Sequence, residues 1–504
     1  MRDVRRMLRA ALVALAAGLA APVAIAQTAV GDLNGDGVTD AADESLLVGF
    51  FGTRAAEPGS GYDAAADLNH DGRVDVLDAF LLGAALGRTG EIDATPPDLR
   101  VTLNDIPEVM NASLVVPPDG FQITLHFDSA GGSAVDAASL SVTSDRDIGA
   151  LPAGTELAPW FTVTPTRAVW TVPRGTDLAR NTHTLTARID DHAGNRARDD
   201  RFDFTVRDFA FGPPMGNRQR VYLDFDGNRG PGSFSEDLRA YGLASDATPA
   251  AAALEPRVRA LVIAEIVRRV GPFYGIALDG TPGPDAVNVV FTSEDPGAPR
   301  ARLCVGGDSE AGGPLLGATF LDVHNLREDS DDCDGESGIF PQAIDDVWSA
   351  DPDYRAAIHP VDPDEGGVPV GEDPDDGVVL EPGFDPATAT PAQRERRAVI
   401  GDAVDAFVQV LATVIAHEAG HSFGLVPAGS PPAGLFGGGE GRGADHNVTP
   451  SGATPGENFL MNPGESFSFG AMTGRGGSSL PVFRPLSWAY VHDRVAFAED
   501  AQRP

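Results

Sequence analysis

The stretch IAHEAGHSFGLVPAG, Ile415 to Gly429, carries two histidines four residues apart, with a glutamate directly after the first. On a helix His417 and His421 project from one face and can share a metal ion through their imidazoles, the spacing zinc takes. Glu418, beside the first ligand, can accept a proton from metal-activated water. Upstream, Val404, Phe407, Val408, Leu411, Val414 and Ile415 form an apolar stripe, so the spacing predicts a long buried helix from about Gln393 into the motif. Gly424 stops that helix. A catalytic zinc needs a third protein ligand and an open position, and three residues after Gly424 the chain has Pro427.

Two arrangements supply a third ligand. Thermolysin-like enzymes use a glutamate on a later helix, which nominates Glu440 or Glu457, both in Gly/Pro-rich sequence with no helical pattern. HEAGHSFGL instead resembles the metzincin helix with its terminating glycine. ENFLMNPG, with Met461, is similar to the methionine turn of that family. The family's third histidine falls where Pro427 stands. The insertion that follows, AGSPPAGLFGGGEGRGADHNV, is glycine-dense and reaches its first histidine at His446. Glycine lets a chain loop out and return, so His446 is the expected third ligand and Asp445 the weaker alternative. The resemblance implies a zinc metalloendopeptidase over roughly 209–504. It also implies an edge strand above the metal, for which GATFLDV is a candidate.

Near the N-terminus two acidic loops repeat at an offset of 35 residues, GDLNGDGVTDAADESLLVGFFG and ADLNHDGRVDVLDAFLLGAALG. Calcium takes six to eight oxygen ligands, which a twelve-position loop with a tight glycine turn can supply. The first loop offers Asp32, Asn34, Asp36, the Val38 carbonyl, Asp40 and Asp43, with Gly37 at the turn. The second offers Asp67, Asn69, Asp71, the Arg73 carbonyl, Asp75 and Asp78, with Gly72. Aspartate at the twelfth position, the duplication and the single helix after each loop resemble a dockerin module, over residues 27–90. That resemblance implies two calcium ions and docking onto a cohesin-like or cell-surface partner.

Residues 97–208 alternate with period two, as in FQITLHFD and THTLTARID, with turn signals between the runs, the pattern of a small antiparallel β-sandwich. The DHAGN turn, Asp191 to Asn195, is similar to those of bacterial immunoglobulin-like modules. His126 and His183 read as strand-face residues. Further on, RVYLDFDG, VNVVFTSEDP and GATFLDV read as strands. Leu254, Val258, Leu261, Val262, Ile266, Val270 and Phe273 have helical spacing. PLSWAYVHDRVAFAED reads as a final helix, His359 to about Pro391 as an acidic excursion loop, and DSDDCDGES as a solvated loop, with a structural calcium site as its alternative.

The expected fold is therefore multidomain: a small α-helical calcium-loop module, a β-sandwich, then an α+β metzincin-like domain. Net charge is −37, with 37 Lys+Arg against 74 Asp+Glu, which excludes nucleic acid and anionic membranes as main partners. Arg2, Arg5, Arg6 and Arg9, the run ALVALAAGLAAPVAI and AIA before Gln27 form a three-part export signal over residues 1–26. No transmembrane span is expected once it is removed. The two cysteines, Cys304 and Cys333, suit one disulfide in an oxidising compartment. Together these imply a secreted or cell-surface zinc endopeptidase acting on polypeptides. The alternatives are a surface adhesion or scaffold protein with an inactive protease-like domain, and a hydrolase of non-peptide amides.

Overall fold

A computed structural model describes residues 31–495 apart from 56–60, 88–92, 108–113, 119, 174, 177, 198–199, 210, 212–217, 228–232, 312, 328 and 439–444. The export signal at 1–26, residues 88–92, Glu440 and the end of the last helix-like stretch lie outside the described residues. The chain is multidomain and α+β, with a small helical module first. Among the described residues, 31–102, 123–170 and 183–203 make one compact unit, and 103–122, 171–182 and 204–495 make the other.

Among its described residues the module holds two helices, α1 (Ala41–Phe50) and α2 (Val76–Ala85). Each starts directly after the ninth position of its acidic loop. Asp40 and Asp75 cap them, with Asp43 and Asp78 answering as reciprocal boxes. Leu33, Leu47, Phe50, Ala66, Val74 and Leu82 form the core between the repeats.

Among the described residues nine strands follow: β1 (Asp98–Leu103), β2 (Ile106–Pro107), β3 (Leu114–Val116), β4 (Gln122–Asp128), β5 (Val135–Ser144), β6 (Thr162–Val163), β7 (Arg167–Thr171), β8 (Thr182–Asp191) and β9 (Asp200–Val206). They form sheets of order β2-β1-β4-β7-β6 and β3-β9-β8-β5. Alternation along β8 buries His183, Leu185, Ala187 and Ile189, as a half-buried strand requires. The expected pairing is corrected at one edge, where β3 runs parallel to β9, Leu114 opposite Phe204. The chain leaves β3 through Pro117 and Pro118 for the other sheet rather than turning back in a hairpin, so antiparallel geometry is not imposed on it.

The second unit is built on a parallel sheet, β10 (Gln219–Asp224), β11 (Val289–Thr292), β12 (Ala301–Cys304) and β14 (Asp331–Asp332), in the order β11-β10-β12-β14. Helix α3 (Pro249–Val270) packs on the long helix α4 (Pro391–Ser422). α3 buries Val258, Val262, Ile266 and Val270, whereas Leu261, expected in the apolar stripe, is 49% exposed because it lies on the flank of that i, i+4 row. The helix α5 (Pro485–Arg494) ends the described chain. GATFLDV contributes only the two-residue strand β13 (Gly317–Ala318), antiparallel to β15 (Gly338–Ile339).

The acidic interval 359–391 is not the excursion loop its composition suggests. Val361, Val370, Val379 and Leu380 are buried, and Asp376 pairs with Arg396 of α4 at 2.7 Å. Four apolar anchors and one buried ion pair outweigh the surrounding Asp, Gly and Pro. Cys304 and Cys333 form the expected disulfide. Among the described residues α4 alone is long and apolar enough to cross a membrane, and its apolar stretch forms the core of this unit.

Candidate metal centre

α4 begins at a Thr390/Gln393 capping box with Pro391 in its first turn, and its last four turns are buried. His417, Glu418 and His421 therefore project from a rigid rod into the interior. The helix stops at Gly424, φ +92, where a Cβ would stand 2.5 Å from Tyr490 Oη and 2.6 Å from the Asp322 carbonyl. Only glycine suits that position.

In the insertion beyond Pro427, β16 (Gly437–Gly438) pairs antiparallel with β17 (His446–Asn447), and Gly438 lies opposite His446. The chain returns so closely that a Cβ on Gly437 would fall 2.0 Å from the Val426 carbonyl. Val426 N–H donates to the Asp445 carbonyl at 2.9 Å, and Asn447 N–H to the Met461 carbonyl at 2.8 Å. β17 is thereby fixed between the end of α4 and the 459–463 turn. Met461 is fully buried beneath α4, and a Cβ on Gly420 would meet its sulfur at 2.5 Å.

The ligand atoms of His417, His421 and His446 all lie within 4.8 Å of one another. His417 Nε2 is 3.1 Å from both His446 Nε2 and His421 Nε2. His417 Nδ1 lies 2.5 Å from the Leu460 carbonyl and His421 Nδ1 2.6 Å from the Leu425 carbonyl. A carbonyl only accepts, so each Nδ1 carries the proton and each neutral ring turns an Nε2 lone pair inward. Burial first, then the neighbouring imidazoles, hold His417 well below its ordinary pKa and His421 down to about 3. Two lone pairs 3.1 Å apart repel unless a cation lies between them. Nitrogens sharing a tetrahedral zinc stand about 3.4 Å apart, so this donor set fits zinc. The backbone carbonyls behind His417 and His421 are the outer contacts that orient such ligands.

Glu418 is 5% exposed and lines a cavity of about 900 Å³ together with the three histidines, Leu316, Trp348, Phe467 and Met472. Burial pushes its carboxyl up to about 8, against a hydrogen bond from Thr319. Asp445 lines the same cavity but is not part of the three-histidine group. Glu457 uses its carbonyl to accept from Asn462. DSDDCDGES is not the solvated loop expected: Asp332, Cys333 and Ser337 are buried, Asp334 caps its own turn through Ser337, and Asp332 accepts from Phe320 N–H. The sequence reading missed Thr319 and the carbonyls of Leu425 and Leu460; nothing local marks them.

The acidic loops repeat one hydrogen-bond pattern. Asp43 Oδ1 accepts from Leu33 and Asn34 N–H, and Asp78 Oδ1 from Leu68 and Asn69 N–H. Gly37 and Gly72 donate to Asp32 and Asp67 at 2.9 and 2.8 Å. Asp32 Oδ1 is buried and accepts no hydrogen bond among the described residues. Burial, with Asp43 adding to it, raises the Asp32 pKa. A desolvated carboxylate oxygen in an oxygen-rich loop fits calcium. The loops differ at position one, where Tyr62 Oη donates to Asp67 at 2.6 Å.

Residues 30–87 match the Dockerin type I domain family. The N-terminal module is thus a dockerin type I domain, and calcium binding goes with it. No curated protein matches the chain. Among solved structures, the crystal structure of the SrpA adhesin from Streptococcus sanguinis is similar at 19% identity, over 33% of this chain and 76% of that one, with a TM-score of 0.14.

Proposed function

We propose that the chain is an exported zinc-dependent endopeptidase carried by a calcium-binding dockerin module. The observation that carries this reading is the pair of neutral imidazole lone pairs of His417 and His421, 3.1 Å apart, with His446 beside them and Glu418 in the same cavity. His417, His421 and His446 would hold zinc, which supplies Lewis acidity toward a carbonyl and lowers the pKa of water. Glu418 takes the proton of the attacking water and returns it to the leaving amine nitrogen. The segment 314–320 lines the cavity, and the outer edge of β13 offers main-chain partners to an extended peptide. Val76, Leu77 and Phe80, 67%, 53% and 73% exposed on α2, offer an apolar face to a cohesin-like partner.

The test measures zinc content and cleavage of an unstructured polypeptide in wild type, Glu418→Gln and His446→Ala. The expected result is one zinc per chain, loss of at least about a hundredfold in rate with zinc retained in Glu418→Gln, and weakened zinc binding in His446→Ala. A protein that binds no zinc and cleaves nothing would instead be a scaffold with a protease-like domain. Full activity in His446→Ala would remove it from the ligand set. For the module, deletion of residues 27–90 should abolish surface attachment; unchanged attachment would sink the docking role.

A further inference from the structure

Glu418 has an unusual set of neighbours for a group that must move protons. Its carboxylate is buried, and among the described residues its hydrogen-bond donor is Thr319, whose hydroxyl lies 2.9 Å from Oε2 and 3.0 Å from the Glu418 main-chain carbonyl. On the other side Gly317 leaves just enough room, since a Cβ there would come within 2.7 Å of Oε1 and 2.8 Å of Cγ. A side chain with three rotatable bonds is therefore held by one hydroxyl and one missing methyl group.

Thr319 is itself anchored. The preceding residues Gly317 and Ala318 pair with Ile339 and Gly338, and Phe340 N–H donates to the Leu316 carbonyl at 2.9 Å. The next amide, Phe320 N–H, donates to Asp332 Oδ1 at 2.8 Å. Asp332 is fully buried and adjoins Cys333, which the disulfide ties to Cys304 at the end of β12. The hydroxyl is thus fixed by the residues on both sides of it in sequence. This is the supporting shell that a well-placed reactive group requires.

We infer that Thr319 is the positioning residue of the general base, holding the Glu418 carboxylate in one conformation within the cleft. This rests on the endopeptidase reading for its consequence in catalysis, but not for the contact itself. The hydroxyl has one proton to give and two acceptors on the same residue, the carboxylate and the main-chain carbonyl. It can keep hold of Glu418 through the carbonyl while the carboxylate takes up a proton from water, and return when the proton leaves.

The experiment compares Thr319→Val, which keeps the shape, with Thr319→Ser, which keeps the hydroxyl. In crystals of the zinc-free protein, the Glu418 carboxylate should lose its single conformation in Thr319→Val and retain it in Thr319→Ser. With zinc bound, Thr319→Val should lower kcat by about 10- to 100-fold, the scale of an ångström-sized misplacement. KM, zinc stoichiometry and Tm should be unchanged, and Thr319→Ser should recover kcat to within a few fold. An unmoved Glu418 in Thr319→Val, a kcat equal to wild type, or a Thr319→Ser no better than Thr319→Val overturns the inference. If wild type cleaves no polypeptide yet Thr319→Val still frees Glu418 in the zinc-free crystal, the endopeptidase reading fails and the positioning contact stands.

Discussion

At Gly420 hydrogen is the only side chain that fits, because the Met461 sulfur occupies the space where a Cβ would go. The same turn presents the Leu460 carbonyl to His417 Nδ1. Gly420→Ala should therefore weaken zinc binding about tenfold, the scale of a lost outer contact, while circular dichroism stays native; unchanged affinity would show that the turn does not hold the imidazole. A second residue, not among those that line the cleft, carries a pH dependence. Asp237 is fully buried, accepts from Gly307 N–H and Gln342 Nε2, and is pushed by burial to about 6. With its folded pKa above the unfolded value, its contribution is fully present below about pH 4 and is lost as pH rises through about 6. Asn at this position does not titrate, and a flipped Gln342 amide can complement it. Asp237→Asn should raise Tm relative to wild type at pH 8 but not at pH 4, with a difference of about 2 kcal/mol between the two conditions. An equal offset at both would contradict the assignment.

Among the elements, α4 depends on a buried pair as well as on its apolar face. Arg396 donates to both oxygens of Asp376 and to the carbonyls of Val368 and Pro369, which pins the acidic interval against the helix. Removing one partner leaves a buried charge, so Arg396→Met should cost about 3–5 kcal/mol, read by denaturant unfolding. A loss under 1 kcal/mol would mean the interval contributes little to the unit. That interval was misread from sequence because its Asp, Gly and Pro density outweighs four apolar residues scattered through it. The calcium loops were legible because every contact in them spans ten residues or fewer, and the helix boundaries of α4 follow from its cap and stop residues.

Across the molecule, two compact units should respond to different ligands. Adding calcium to the metal-free protein should raise the calorimetric transition of the unit that holds the dockerin domain, by mass action on its native state. The transition of the unit that holds His417, His421 and His446 should be unmoved. A single transition shifting as a whole would contradict separate units.

By itself the sequence determined what is local: the twin acidic loops, the dockerin domain they build, the alternation of the strands, and a helix with His417, Glu418 and His421 on one face. It also named His446 as a residue able to return to that helix, since glycine permits the path. The tertiary structure decided the distances. The 3.1 Å between His417 and His446, the Leu460 carbonyl that sets a tautomer, and the Thr319 hydroxyl against Glu418 join residues 29, 43 and 99 positions apart. Backbone geometry propagates reliably over a helical turn or a twelve-residue loop. Over such separations it is packing, with a Cβ absent where two chains must touch, that sets which groups meet.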